Sequence, residues 1–417
     1  MVILHSDLRS INQIASRTFN FAALIHSVKG RRSNARLPFN PPPPQLALIK
    51  AHYHARQSIS IDKPSICTAD ELHYVSVPNS DWKLALWRYK PSQKAPCRNH
   101  PLLLLSGVGT NAIGFDLSPD RSFARSMSSQ GFDTWILEVR GAGLSTEVKS
   151  SSSNGNQTEI YKSDLNKHLG YFMKQLQIIE KYDWDFDSYL EEDVPAAMEY
   201  VRRECKPEDG KLLAIGHSMG GILLYAWLSQ NCLKGRESGL AAIITLASSL
   251  DYSTSRSSLK WLLPLANPAR IFNLPVIPIG GLFTAAHLLA SHPPYLMSWL
   301  SPQISAQNMF DPDLLEKLVL KNFCTVPAKL LLQLASVLEN GGLCDRNKAF
   351  FYKEKLHKID IPVLAVAGDQ DLICPPEAVY ETFKLLPKDL ASFKVFGEPK
   401  GPHFAHYDLV GGVAVSS

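Results

Sequence analysis

Ser218 stands in the hexapeptide Gly216-His217-Ser218-Met219-Gly220-Gly221, between the apolar runs KLLAI (211–215) and ILLYAWLS (222–229). A serine hydroxyl is a weak nucleophile at neutral pH, so it needs a base to take its proton and an acid to orient that base. The Gly-x-Ser-x-Gly spacing suits a strained strand-to-helix turn, a nucleophile elbow, where neighbouring backbone crowds Gly216 and Gly220 and leaves no room for side chains. The acid is offered by AVAGDQDLICPP (365–376), directly after an apolar run. Asp371, three residues after Gly368 and shortly before Pro375, is preferred, while Asp369 is read as capping the turn. The base is offered by GPHFAHYDL (401–409), in which His406, at the start of an expected final helix, is preferred over His403. His217, inside the elbow, is expected to point into packing. The order Ser, Asp, His, each after a strand, is that of an acyl-transferring triad on a parallel sheet. Its tetrahedral oxyanion needs two backbone N–H donors. Met219 is one nominee, and Val108, in the glycine-bearing Ser106-Gly107-Val108-Gly109, is the other.

These side chains need a scaffold that brings distant segments to one edge. PLLLLSGVG (101–109), DTWILEV (133–139), KLLAIG (211–216), AAIITLA (241–247) and IPVLAVAG (361–368) are short apolar runs separated by helical segments. Such runs predict a mostly parallel sheet buried on both faces, an α/β class. ELHYVSV and WKLALWRY, separated by Pro78-Asn79-Ser80-Asp81, predict an antiparallel hairpin at the start of the folded chain. In EEDVPAAMEYVRREC (191–205), Val194, Ala197, Met198 and Val201 fall on one helical face and Pro195 suits a first turn. Met219 to Ser229 reads as a buried helix. KSSSSNGNQT (149–158) is a polar loop.

More than a hundred residues without parallel-strand patterning lie between the strands at 241–247 and 361–368. They predict a helical cap inserted at 251–358 between core parts 68–250 and 359–417. Trp261 to Leu300 is rich in Leu, Ile, Pro and Trp, which suits either cap packing or a lid that contacts lipid. Ile271 to Phe310 carries no Asp, Glu, Lys or Arg, but repeated Pro and Gly interrupt any spanning helix.

Residues 1–61 hold one acidic residue, Asp7, against Arg9, Arg17, Arg31, Arg32, Arg36 and Arg56 and scattered serines. That composition predicts a transit peptide, here to a plastid, against the alternative of a basic tail with no address. The formal charge of +4 over 417 residues implies no nucleic-acid surface. Seven scattered cysteines without a C-x-x-C pair imply neither a disulfide framework nor a zinc site.

On these motifs the chain resembles the α/β-hydrolases. RSFARSMSSQGFDTWILEVRGAGLS (121–145), WDFDSYLEEDVPAAMEYV (184–201) and AHYDLV (405–410) resemble segments of the acid-lipase branch of gastric and lysosomal lipases. The chain is more similar still to a plant group of plastid α/β-hydrolase proteins, and the likeness spans residues 68–412. The resemblance implies a Ser218-His406-Asp371 triad with no metal and no organic cofactor. Two departures stand out. Ser106-Gly107 replaces the His-Gly usual in lipases, so the oxyanion loop is expected to be held differently. The core part 359–417 is expected to be cut short, leaving little packed structure behind His406.

The resulting expectation is a serine hydrolase cleaving a carboxylic ester with an apolar, lipid-like acyl chain, acting in a plastid. Its partner would be a small-molecule or lipid-like ester, with peripheral membrane contact through the cap. The alternatives are acyl transfer through the same triad and an inactive scaffold or binding protein that keeps the fold.

Overall fold

A computed structural model describes residues 64–96, 98–147, 182–262, 276–282, 301–397, 399 and 401–412. The segment 1–61, the polar loop 149–158 and much of the apolar stretch 261–300 lie outside these residues.

The hairpin predicted by the alternating residues comprises β1 (Glu71–Ser76) and β2 (Trp82–Tyr89), antiparallel with Glu71 opposite Arg88. Then follow β3 (Leu102–Leu105), β4 (Thr134–Glu138), β5 (Leu212–His217), β6 (Leu240–Leu246), β7 (Val363–Gly368) and β8 (Ala391–Phe396). Their order in the sheet is β1-β2-β4-β3-β5-β6-β7-β8. β2 pairs with β4 antiparallel, and every later pair is parallel. Leu102 to Leu105 and Leu212 to His217 are buried throughout, as expected of central parallel strands. β8 is the strand expected ahead of the histidine segment, at SFKVF (392–396), though it is not one of the continuous apolar runs. As an edge strand it is half-exposed, and Lys394 interrupts its apolar residues.

The helices include α1 (Phe123–Ser129), α2 (Val194–Cys205), α3 (Met219–Lys234), α4 (Pro312–Lys321), α5 (Ala328–Leu334), α6 (Pro376–Phe383) and α7 (Asp408–Gly411). α3 runs five residues beyond the predicted Ser229, to Lys234, and stops at Gly235 in the left-handed conformation. α2 buries Val194, Ala197, Met198 and Val201, the predicted face. It continues from a π turn, Tyr189–Asp193, that the sequence pattern did not disclose.

In the insertion, the described residues include a two-stranded ribbon, Val276–Ile277 against Val326–Pro327, alongside α4 and α5. It is therefore not purely helical there. The 3-10 turn Tyr352–Lys358 returns to pack on α3. Among the described residues no helix is long and apolar enough to cross a membrane.

The expectation of a poorly packed chain behind His406 is not met. Residues 404–412 are all buried. The cap covers them: Tyr407 N donates to Ile304 O at 2.9 Å, and a Cβ at Gly411 would lie 2.8 Å from the Phe310 ring. Packing from a segment about a hundred residues earlier thus covers these residues.

Candidate active site

Four loops leave the carboxyl ends of neighbouring parallel strands on one edge of the sheet. β3 delivers Ser106 to Gly109, β5 delivers Ser218, β7 delivers Asp371 and β8 delivers the segment that leads to His406. Parallel pairing forces this convergence, because all these strands end at the same side.

Ser218 adopts φ 54° and ψ −119°, a left-handed conformation that disfavours non-glycine residues. Its surroundings hold it there. Ser218 N donates to Leu246 O at 2.9 Å, and Ser248 Oγ donates to Ser218 O at 2.9 Å. The flanking glycines are required by close approach. A Cβ on Gly216 would sit 2.3 Å from the Gly220 carbonyl carbon, and one on Gly220 would sit 2.1 Å from Leu105 O. The strained turn lifts the Ser218 side chain to a partly exposed position, where its Oγ makes no hydrogen bond to another described residue. Nucleophile and base contacts commonly tighten only when substrate is present.

Asp371 and His406 are brought together. His406 Nδ1 lies 2.8 Å from Asp371 Oδ2, with both side chains at 5% exposure or less. Asp371 Oδ1 accepts from Ile373 N at 2.9 Å and from Cys374 N at 2.8 Å, so the carboxylate is aimed by its own loop. A carboxylate only accepts, which places the His406 proton on Nδ1 and leaves Nε2 as the proton acceptor. Burial and the neighbouring Asp371 charge push the Cys374 thiol up, so no thiolate competes at this edge.

His217 packs inside, as predicted, but it also makes a specific contact. Its Nε2 donates to His406 O at 2.9 Å, and the two rings are 4.7 Å apart between centroids. Burial holds the His217 pKa well below 6.5 and keeps the ring neutral. The two rejected candidates bind each other: His403 Nδ1 contacts Asp369 Oδ2, and Asp369 Oδ1 accepts from Phe404 N at 2.8 Å. Asp369 thus ties down the histidine loop rather than capping its own turn, because the loop passes directly over the end of β7. A Cβ on Gly368 would meet Phe404 O at 2.3 Å.

Val108 and Met219, the two nominated donors, give no backbone hydrogen bond to another described residue. The loop after β3 is fixed from beneath by Glu138, at the end of β4, whose Oε1 accepts from Ala112 N at 2.9 Å and whose Oε2 accepts from Leu144 N at 2.7 Å. Burial raises the Glu138 pKa. Asp408 was also missed by sequence reasoning. It accepts from Ala405 N at 2.7 Å, from Ala306 N at 2.7 Å and from Ser305 Oγ at 2.6 Å, joining cap to histidine loop. An acid two residues after the base was its only local signal. Among the described residues no group of three metal-ligating side chains occurs.

Residues 100–274 match the model of the alpha/beta hydrolase fold. Among curated proteins no sequence matches the chain significantly. Similar solved structures include a membrane phospholipase A described as a bacterial virulence factor, at 16% identity over 82% of this chain and 81% of that one, TM-score 0.46. A putative lipase from Acinetobacter baumannii is 15% identical over 82% of this chain and 86% of its own, TM-score 0.45. A thermophilic esterase from Thermogutta terrifontis is 15% identical over 82% and 93%, TM-score 0.46. With its sheet order, the serine at the sharp turn after β5 and the match over 100–274, the chain has the alpha/beta hydrolase fold.

Proposed function

We propose that the chain is a serine hydrolase of carboxylic esters with an apolar acyl chain. The observation that carries this reading is the buried Asp371–His406 pair, 2.8 Å apart, at the same sheet edge as the strained Ser218. In the proposed reaction Ser218 Oγ attacks the ester carbonyl carbon and its proton passes to His406 Nε2. The carbonyl oxygen becomes an oxyanion held by the Val108 and Met219 N–H groups, an arrangement typically worth a few kcal/mol. Collapse breaks the bond to the alkoxy oxygen, which leaves as the alcohol with the proton from His406. Water then repeats the sequence on the acyl-enzyme and releases the acid.

Preference for an apolar acyl group rests on the cap residues beside the oxyanion loop. A Cβ on Gly109 would lie 2.8 Å from Val326 Cγ1 and 3.4 Å from Ile279 Cδ1, and Phe323 packs nearby. Similarity of 121–145, 184–201 and 405–410 to the acid-lipase branch and to plant plastid proteins supports a lipid-like ester. The basic, acid-poor residues 1–61 support plastid import, which localisation of a full-length fluorescent fusion tests. The activity is tested with p-nitrophenyl esters of increasing chain length. Turnover that rises with acyl length and disappears in folded Ser218→Ala is expected, and equal turnover in Ser218→Ala contradicts the proposal.

A further inference from the structure

The oxyanion loop of this chain lacks the histidine that lipases usually place before its glycine, and Ser106 Oγ makes only a long contact, 3.4 Å, to Asn111 O. A second set of contacts holds the loop instead, and it comes from the cap. Asn322 follows the last residue of α4 and is fully buried. Its main-chain carbonyl accepts from Asn111 N at 3.0 Å, and its Oδ1 accepts from Gly114 N at 3.0 Å. In return, Asn111 Nδ2 donates to Lys321 O at 2.8 Å, and Cys324 N donates to Gly109 O at 2.7 Å.

The last carbonyls of a helix have no partners within it and must be satisfied from outside. Here those of Lys321 and Asn322 are satisfied by the loop that carries Val108. The carboxamide is placed to do more: Nδ2 of Asn322 reaches the Tyr407 hydroxyl at 3.5 Å, beside the base. Gly114 leaves space for this, since a Cβ there would stand 3.3 Å from Asn322 Oδ1.

Resting on the serine-hydrolase reading, we infer that Asn322 and Asn111 are positioning residues through which the seated cap sets the oxyanion hole. Neither touches the reacting atoms. Asn322 fixes the backbone three and six residues beyond Val108, and the hole is complete only while the end of α4 is docked. Cap seating and transition-state stabilisation are therefore one event in this protein.

The test compares a long-chain alkyl trifluoromethyl ketone, which forms a tetrahedral hemiketal oxyanion on a serine, with the methyl ketone of the same chain, which binds without forming it. In Asn322→Ala, inhibition by the trifluoromethyl ketone and kcat should each weaken about tenfold to a hundredfold, below the roughly 10²–10³ lost when an oxyanion donor itself is removed, because the donor is displaced and not deleted. KM for a short ester and affinity for the methyl ketone should change less than about threefold, because ground-state binding is spared. Asn111→Ser keeps an oxygen to accept from Ile113 N but cannot reach Lys321 O, so it should shift the same ratio if Asn322→Ala fails to fold. An unchanged ratio of the two inhibitors in folded Asn111→Ser, with wild type discriminating between them, overturns the inference alone. A wild type that neither discriminates nor hydrolyses any ester overturns the hydrolase reading and the inference with it.

Discussion

His217 Nε2 lies 2.9 Å from the main-chain carbonyl of His406, a contact that spans 189 residues of sequence and joins the elbow to the base. The residue before the proposed nucleophile thus holds the backbone of the proposed base. Replacing His217 by Ala leaves that buried carbonyl unpaired and should lower kcat about tenfold while KM changes little, since a displaced base is felt in the chemical step. Steady-state kinetics on folded His217→Ala checks this.

The same contact carries a pH signature. The folded His217 resists protonation through burial, while the unfolded imidazole takes a proton near its ordinary value of 6.5. Below about pH 6.5 the unfolded state therefore binds more protons at this site, and stability falls as pH falls. His217→Gln should remove this part of the acid sensitivity, seen as a flatter dependence of the urea midpoint on pH below 6.5.

The two acids after β7 should separate cleanly. Asp371→Asn presents an amide to His406 Nδ1 and favours the wrong tautomer, so kcat should drop about 10³-fold or more. Asp369→Asn alters hydrogen bonds to His403 and the Phe404 N–H, neither of which is in the proposed triad, and should cost less than about tenfold. Equal losses in the two variants contradict the assignment of roles.

Much of this scaffold was legible because its signals are local. Continuous apolar runs marked the central strands, and Gly216 and Gly220 marked a turn into which Cβ atoms do not fit. The sharp turn at Ser218 and the segments that bring Asp371 beside His406 were marked by short motifs in a fixed order. What escaped depends on partners far away in the chain. Asn322 has no neighbouring residue that hints at its contact with Asn111, 211 residues earlier. The burial of 404–412 escaped for the same reason, since cap residues such as Phe310 supply the cover.

Gly220 should be among the least tolerant positions. Its added Cβ would meet the Leu105 carbonyl oxygen at 2.1 Å, and backbone on both sides has no rotamer by which to yield. Gly220→Ala should lose about 3–5 kcal/mol of stability or fail to fold, the range of severe overpacking. Urea unfolding of wild type and variant measures it.

Asp408 should make the junction of cap and histidine loop sensitive to mild acid. Burial raises its pKa from 3.8 to about 6. Between these values the folded state holds a proton that the unfolded state has released, so this group stabilises the fold as pH falls through 6 toward 4. Ser305 Oγ, 3.1 Å from Ala306 O, can turn its proton to that carbonyl and accept from the protonated acid. Asp408→Asn should lose this gain, so the stability gap between wild type and variant should widen by on the order of 2 kcal/mol from pH 7 to pH 4.5. Thermal melts across that range read it directly.

The central claim is that Ser218 is a nucleophile activated by His406. Reacting the protein with a fluorophosphonate and mapping the adduct by peptide mass spectrometry tests it most directly. One adduct is expected, on the peptide containing Ser218, formed much more slowly in His406→Ala and absent in Ser218→Ala. An adduct on another residue, or labelling of Ser218 at an undiminished rate in folded His406→Ala, contradicts it.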